Sequence, residues 1–259
     1  MARPVQPQCF KIKSKQDLTN YERSFYYCVM NMSPSKPSKG EETRAVILKV
    51  ALRHASMAGY HALTIGVLAK HTGMSKSGLF AHFGSKEELQ IATLDEAVRR
   101  FNEAAFMPAL SAPRGLKRLN ALFDNWLAWT ARADLSACPM MVASTEFDDR
   151  DGAMREAVIE HMQRLHQSLV KSVEMTIQTG EFAADTDAEQ FAFEIFGVIS
   201  SCYRSRSLFR DKDANTRASR AFDRLVADAV ARPTISAKAS PKLSKASSRT
   251  VRAKSSSTR

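Results

Sequence analysis

The chain has 259 residues, 44% hydrophobic and 25% charged, with a formal net charge of +11. That apolar fraction can bury a core, which excludes a wholly disordered chain, and ten Gly and nine Pro are too few for a collagen-like or low-complexity one. No charge-free run of 18 apolar residues occurs, so no membrane-spanning helix is expected.

The four cysteines (Cys9, Cys28, Cys138, Cys202) lie far apart and form no CxxC pair, which fits a reduced protein better than a disulfide framework. The first 15 residues lack the apolar stretch of a secretory leader, and a cytoplasmic, nucleoid-associated protein is expected. Residues 1–40 carry seven Lys/Arg against Asp17 and Glu22, a net of +5, and read as a basic flexible extension. Inside it, Leu18, Tyr21, Phe25 and Cys28 have the spacing of a short amphipathic helix, although a chain opening at Met30 or Met32 would lose no motif. Residues 31–40 read as a linker.

Four helices are predicted over 41–106. The first, about 42–58, has a stripe of Ile47, Leu48, Ala51, Leu52 and Ala55, followed by Gly59. The second, 65–71, has Thr64 as N-cap; the third, 76–83, has Ser75 as N-cap and Gly84 after it. Ser85 and Glu88 form a capping-box pattern at the head of the fourth, which runs to about Phe106, short of Pro108. Helices then follow at 116–132, from Cys138-Pro139 to the acidic turn 148–152, at 153–179, 187–209 and 214–231. No period-2 alternation occurs, so the fold class is all-α. The tail 232–259 has eight Lys/Arg, no acid and almost nothing apolar, and is expected to be disordered.

The second and third helices, joined by three residues including Gly73, have helix-turn-helix spacing. A helix in the major groove reads bases with its N-terminal residues, here Lys76, Ser77 and Gly78, the last two small enough for close approach. The hydroxyls of Thr64 and Ser75, with helix N–H groups behind them, suit phosphate oxygens, and Lys86 can neutralise a flanking phosphate. Residues 41–86 carry a net of +4, which suggests a polyanion partner, although basic segments also serve solubility alone. Spacing alone leaves a plain helical hairpin open.

The residues themselves narrow the choice. Leu63-Thr64-Ile65-Gly66-Val67-Leu68-Ala69, then Gly73-Met74-Ser75-Lys76-Ser77-Gly78-Leu79-Phe80-Ala81-His82-Phe83-Gly84-Ser85-Lys86-Glu87-Glu88-Leu89, closely resembles the TetR (tetracycline-repressor) family of bacterial one-component transcription regulators. The resemblance implies a three-helix DNA-binding domain, taken as 41–86, and a helical ligand-binding and dimerisation domain, taken as 87–231. It further implies a homodimer that binds a palindromic double-stranded DNA operator, usually represses, and is released by a small-molecule inducer. By the same resemblance Thr64, Ser75 and Lys86 match phosphate contacts, and Leu79 and Phe83 match packing positions. Phe80 stands where the family usually has Tyr and loses that hydroxyl's phosphate contact; His82 matches a phosphate or backbone contact. Ala55 stands where the family often has Phe.

His161 and His166 are five apart and miss helical metal-pair spacing, and no nucleophile elbow, P-loop or GxGxxG occurs, so no metal, cofactor or enzyme is expected. Trp126, Trp129, Met140, Met141, Phe147 and Met162 have the aromatic and Met composition of an adaptable apolar pocket, or of plain core. On the last two helices Phe191, Ile195, Phe196, Ile199, Tyr203, Phe222, Leu225 and Val226 match the family's dimer interface, or form the centre of one subunit. Two functions follow. One is a ligand-responsive dimeric repressor whose inducer is a small apolar or amphipathic molecule. The other is an architectural DNA-coating protein whose basic tail dominates weakly specific binding.

Overall fold

The computed structural model describes residues 38–132 and 134–230. The amphipathic pattern within 10–29 and the basic tail both lie outside the described residues. Among those described there is no strand. The chain forms α1 (Lys39–Ala58), α2 (Ile65–Thr72), α3 (Lys76–Phe83), α4 (Lys86–Phe101), α5 (Leu116–Thr130), α6 (Pro139–Glu146), α7 (Ala153–Gln178), α8 (Ala188–Ser207) and α9 (Ala214–Val230).

Caps set most of these ends. Ser38 opens α1 with a complete capping box: Glu41 N–H donates to Ser38 Oγ (3.2 Å) and Ser38 N–H to the Glu41 carboxylate (2.7 Å). The helix therefore starts three residues before the predicted 42, and residues 38–40 of the expected linker are its first turn and cap. Ser85 accepts from Glu88 N–H (3.0 Å), but its own N–H is taken by Phe83 O (2.6 Å), so the return half of that predicted capping box is not formed. Helical structure also continues past Phe106. After α4 the chain widens into a π turn, Asn102–Phe106, in which Met107 N–H reaches Asn102 O, and closes with the helical turn Met107–Ala109. Pro108 cannot donate to the carbonyl four residues back and its ring crowds it; widening the turn accommodates the ring without breaking the rod.

Three apolar clusters organise the packing. Ile47, Leu48, Ala51, Leu63, Ile65, Leu68, Leu79 and Phe83, with Leu89 and Ala92 of α4, form the N-terminal core. A larger cluster runs from the end of α4 through α5, α7, α8 and α9; in it Phe101 meets Phe106, Trp126 and Trp129 edge-on, and Phe123 stacks on Phe222 at 4.0 Å. Between them, Ala55 and Tyr60 pack against Leu94, Ala143, Phe147, Met154 and Val158. The rod of α4 thus serves all three clusters, and α6 touches both α1 and α4.

Candidate functional site

Two caps and a glycine hold α3 out from the core. Thr64 Oγ1 accepts from Val67 N–H (3.2 Å) and Ser75 Oγ from Gly78 N–H (3.1 Å). Gly73 ends α2 in the left-handed region (φ 69°), and the turn to α3 follows at once. Leu79 and Phe83 are buried, with the Arg44 guanidinium over the Phe83 ring at 4.7 Å. Ser75, Lys76, Ser77, Phe80 and Ala81 are exposed, while Thr64, Gly78 and His82 are half-buried. The structure thus gathers the predicted DNA-binding residues on and around one outward helix. The Thr64 oxygen accepts its cap bond and keeps its hydroxyl proton to donate, while Ser75 Oγ, besides its cap bond, shares a hydrogen bond with Ser77 Oγ at 3.1 Å. Exposed Lys86 donates to His61 O (3.0 Å) and has two further donors.

Nothing in the sequence signals how this unit is held. Glu146, at the end of α6, reaches the loop between α1 and α2, where one carboxylate oxygen accepts from Tyr60 N–H (2.9 Å) and His61 N–H (3.1 Å). Arg150 lies 2.5 Å from His61 Nε2. Arginine can only donate, so Nε2 is the acceptor and the proton sits on Nδ1, facing Glu146 at 3.4 Å. Gln90 donates to Tyr60 O (2.6 Å), and Phe147 stacks on His61. Gly59 permits this approach: with φ 84° it leaves open the space a Cβ would fill 1.8 Å from Glu146 Oε1. Phe147, expected in the ligand pocket, instead packs at this junction against Tyr60 and His61. Its place in the fold, immediately after α6, puts it against the α1–α2 loop.

The other expected pocket residues separate. Trp126, Trp129 and Met140 are buried members of the large cluster, with Met141 and Met162 packed against it. A cavity of about 160 Å³ opens where the end of α5 and the following loop meet α8, lined by Trp129, Arg132, Cys138, Tyr203, Arg206 and Ser207 among others. Trp129 is the one expected pocket residue on its wall. Arg206 donates to Thr130 O and to Asn215 Oδ1, and Arg132 is paired with Asp134 and stacked on Trp129. Burial pushes up the Cys138 thiol, the Cys202 thiol and the Tyr203 phenol. Both thiols are buried and kept protonated, the opposite of a reactive redox cysteine.

The expected dimer residues also divide. Phe191, Ile195, Ile199 and Phe222 point into their own protomer and are buried there, so they have no surface to offer a second chain. Phe196, Tyr203, Leu225 and Val226 are half-buried against the same cluster. The outward face of α8 belongs to Phe193, 67% exposed, with Gly197 and Ser201 one and two turns further on. Apolar content singled out these helices, but it cannot tell which face a nearly all-apolar helix turns inward.

Residues 47–93 match the family described as bacterial regulatory proteins, tetR family, and residues 115–222 match the tetracyclin repressor-like C-terminal domain. The HTH-type transcriptional repressor AcnR of Corynebacterium jeikeium is 30% identical over 140 residues, 52% of this chain and 72% of that protein. A TetR transcriptional regulator from Chloroflexus aurantiacus shares the fold with a TM-score of 0.64 and 26% identity, covering 73% of this chain and 94% of that one. AibR, solved in complex with isovaleryl coenzyme A and operator DNA, has a similar fold (TM-score 0.56, 19% identity, 72% and 97% covered). With a matching DNA-binding segment, a matching C-terminal domain and a repressor among its relatives, the chain belongs to the TetR family of bacterial transcription regulators.

Proposed function

We propose that the chain is a dimeric repressor that grips a palindromic operator with two copies of α3 and is released by a small amphipathic ligand. The observation that carries this is α3 itself: a capped helix with a polar N-terminal turn, held outward by a buried Leu79 and Phe83. Thr64, Ser75 and Lys86 take phosphates; Lys76, Ser77 and Gly78 face base edges; His82 lies at the flank. Phe193, Gly197 and Ser201 are the surface through which α8 meets its mate, beside the half-buried Phe196, Leu225 and Val226. The cavity beside Trp129 and Tyr203 is the place for an inducer with one polar end, because its wall mixes aromatic rings with Arg206 and Ser207. AibR, with a similar fold, was solved with an acyl coenzyme A and operator DNA together, which supports a ligand and an operator on one scaffold.

Release follows from the packing. The cavity wall includes Cys138, the cap residue of α6, and the far end of α6 carries Glu146, which holds the α1–α2 loop. A ligand that displaces α6 moves the helix-turn-helix with it and alters the spacing of the two α3 helices. The resulting loss of DNA affinity cannot exceed the ligand's differential affinity for the two arrangements. Selection from random duplexes, followed by footprinting at moderate salt, tests the proposal. A protected twofold-symmetric site is expected. Binding without sequence preference, abolished by deleting 232–259, would establish the architectural alternative instead.

A further inference from the structure

The outward face of α3 has a chemistry of its own. Ser77, Phe80, Ala81 and Gly84 are all exposed, and their spacing puts them on one stripe along the solvent side of the helix, with Leu79 and Phe83 turned to the core. Phe80 is 50% exposed and belongs to none of the three core clusters, so the folding of the described residues does not account for a ring there. The helix, KSGLFAHF, contains no Arg, Asn, Gln, Asp or Glu, the side chains that pair with base edges through two hydrogen bonds or accept from cytosine. Lys76 in its first turn is the single Lys or Arg of α3. The face that follows Lys76 is therefore apolar, with one small hydroxyl.

A major groove of unmodified DNA displays one apolar group, the C5 methyl of thymine. We propose that Phe80, with the Ala81 methyl beside it, reads thymine by that methyl, so that each operator half-site carries a thymine under this stripe, next to the base contacted from Lys76. The proposal rests on the reading of α3 as the groove helix. Moving one such carbon out of water is worth a factor of about four in an equilibrium constant.

The test uses the full chain and a duplex obtained by selection from random DNA. Each thymine is replaced in turn by deoxyuridine, which removes the methyl and leaves every hydrogen-bonding group. The unaltered chain loses about four-fold in affinity at one thymine or more per half-site. F80A binds the thymine duplex less tightly and is indifferent to deoxyuridine at that position, whereas F80L, which keeps an apolar group of similar reach, retains part of the discrimination. This double-substitution cycle isolates the ring–methyl pair. A preferred sequence with no methyl dependence, or an equal loss for the unaltered chain and F80A, overturns this inference and leaves the groove assignment standing. A selection that returns no preferred sequence overturns both.

Discussion

Replacing Gly59 by Ala perturbs the hold of α6 on the DNA-binding unit. The Gly59 backbone (φ 84°, ψ 166°) lies where only glycine is comfortable, and holding Ala there costs about 1–3 kcal/mol. The new Cβ would lie 1.8 Å from Glu146 Oε1 and 2.9 Å from its carboxyl carbon, so the carboxylate must leave. With it go the bonds from Tyr60 N–H and His61 N–H, each worth about 1.5 kcal/mol for a charged, partly exposed acceptor. G59A should therefore lose about 4–6 kcal/mol. E146A, which removes the bonds without the backbone strain, should lose about 3 kcal/mol. In G59A/E146A the collision is gone and the bonds are removed only once, so the double variant should be more stable than the sum of the singles by about 3 kcal/mol. Urea unfolding followed by helical circular dichroism reads all three. Losses that add to within about 0.5 kcal/mol would show that Gly59 and Glu146 act independently and that no collision couples them.

Three further outcomes are expected. Burial raises the Glu96 carboxyl, but hydrogen bonds from Arg99 and Arg100 outweigh it and hold the group below the ordinary carboxylate range. Its stabilisation is then complete above that range and fades as pH falls through the depressed value, so E96Q should lose about 1 kcal/mol at neutral pH and progressively less in acid, by urea titration at each pH. K86A should weaken binding to operator and to random DNA alike and reduce the log–log salt slope by about 0.9 for each phosphate it no longer neutralises, measured by fluorescence anisotropy across a salt series. Alkylation at neutral pH, mapped by mass spectrometry, should leave Cys138 and Cys202 unmodified in the folded protein and modify both in urea, because burial keeps the thiols protonated and covered.

What the amino-acid order reveals follows the range of the physics. Helix ends set by near neighbours are legible: Thr64, Ser75 and Ser85 cap within three residues, and the same side chains recur as caps in the structure. So is the inward stripe of α1, which follows from a 3.6-residue period. The start of α1 is hidden because Pro37-Ser38-Lys39-Gly40 has linker composition, and the capping box that overrides it needs Glu41 read with Ser38. The π turn is hidden because Pro normally ends a helix, and its tolerance here depends on the packing of Phe101 and Phe106 against α5. The hold of Glu146 on the α1–α2 loop has no local signal at all, since it spans 85–86 residues. The orientation of α8 is beyond reach for a different reason. With Phe191, Phe193, Ile195 and Phe196 in succession, only the docking of α8 against α7 and α9 decides that Phe193 faces outward.

The proposed function stands on α3 lying in the major groove, twice per operator. The most direct measurement is disulfide capture of Ser77→Cys, in a chain with Cys9 and Cys28 replaced by Ser, on selected duplexes bearing a thiol tether on one base. A tether on cytosine N4 projects into the major groove and one on guanine N2 into the minor groove. Capture by major-groove tethers at two symmetry-related positions, and none by minor-groove tethers, is the predicted result. Capture from the minor groove, or at a single position per duplex with one chain bound, would contradict it.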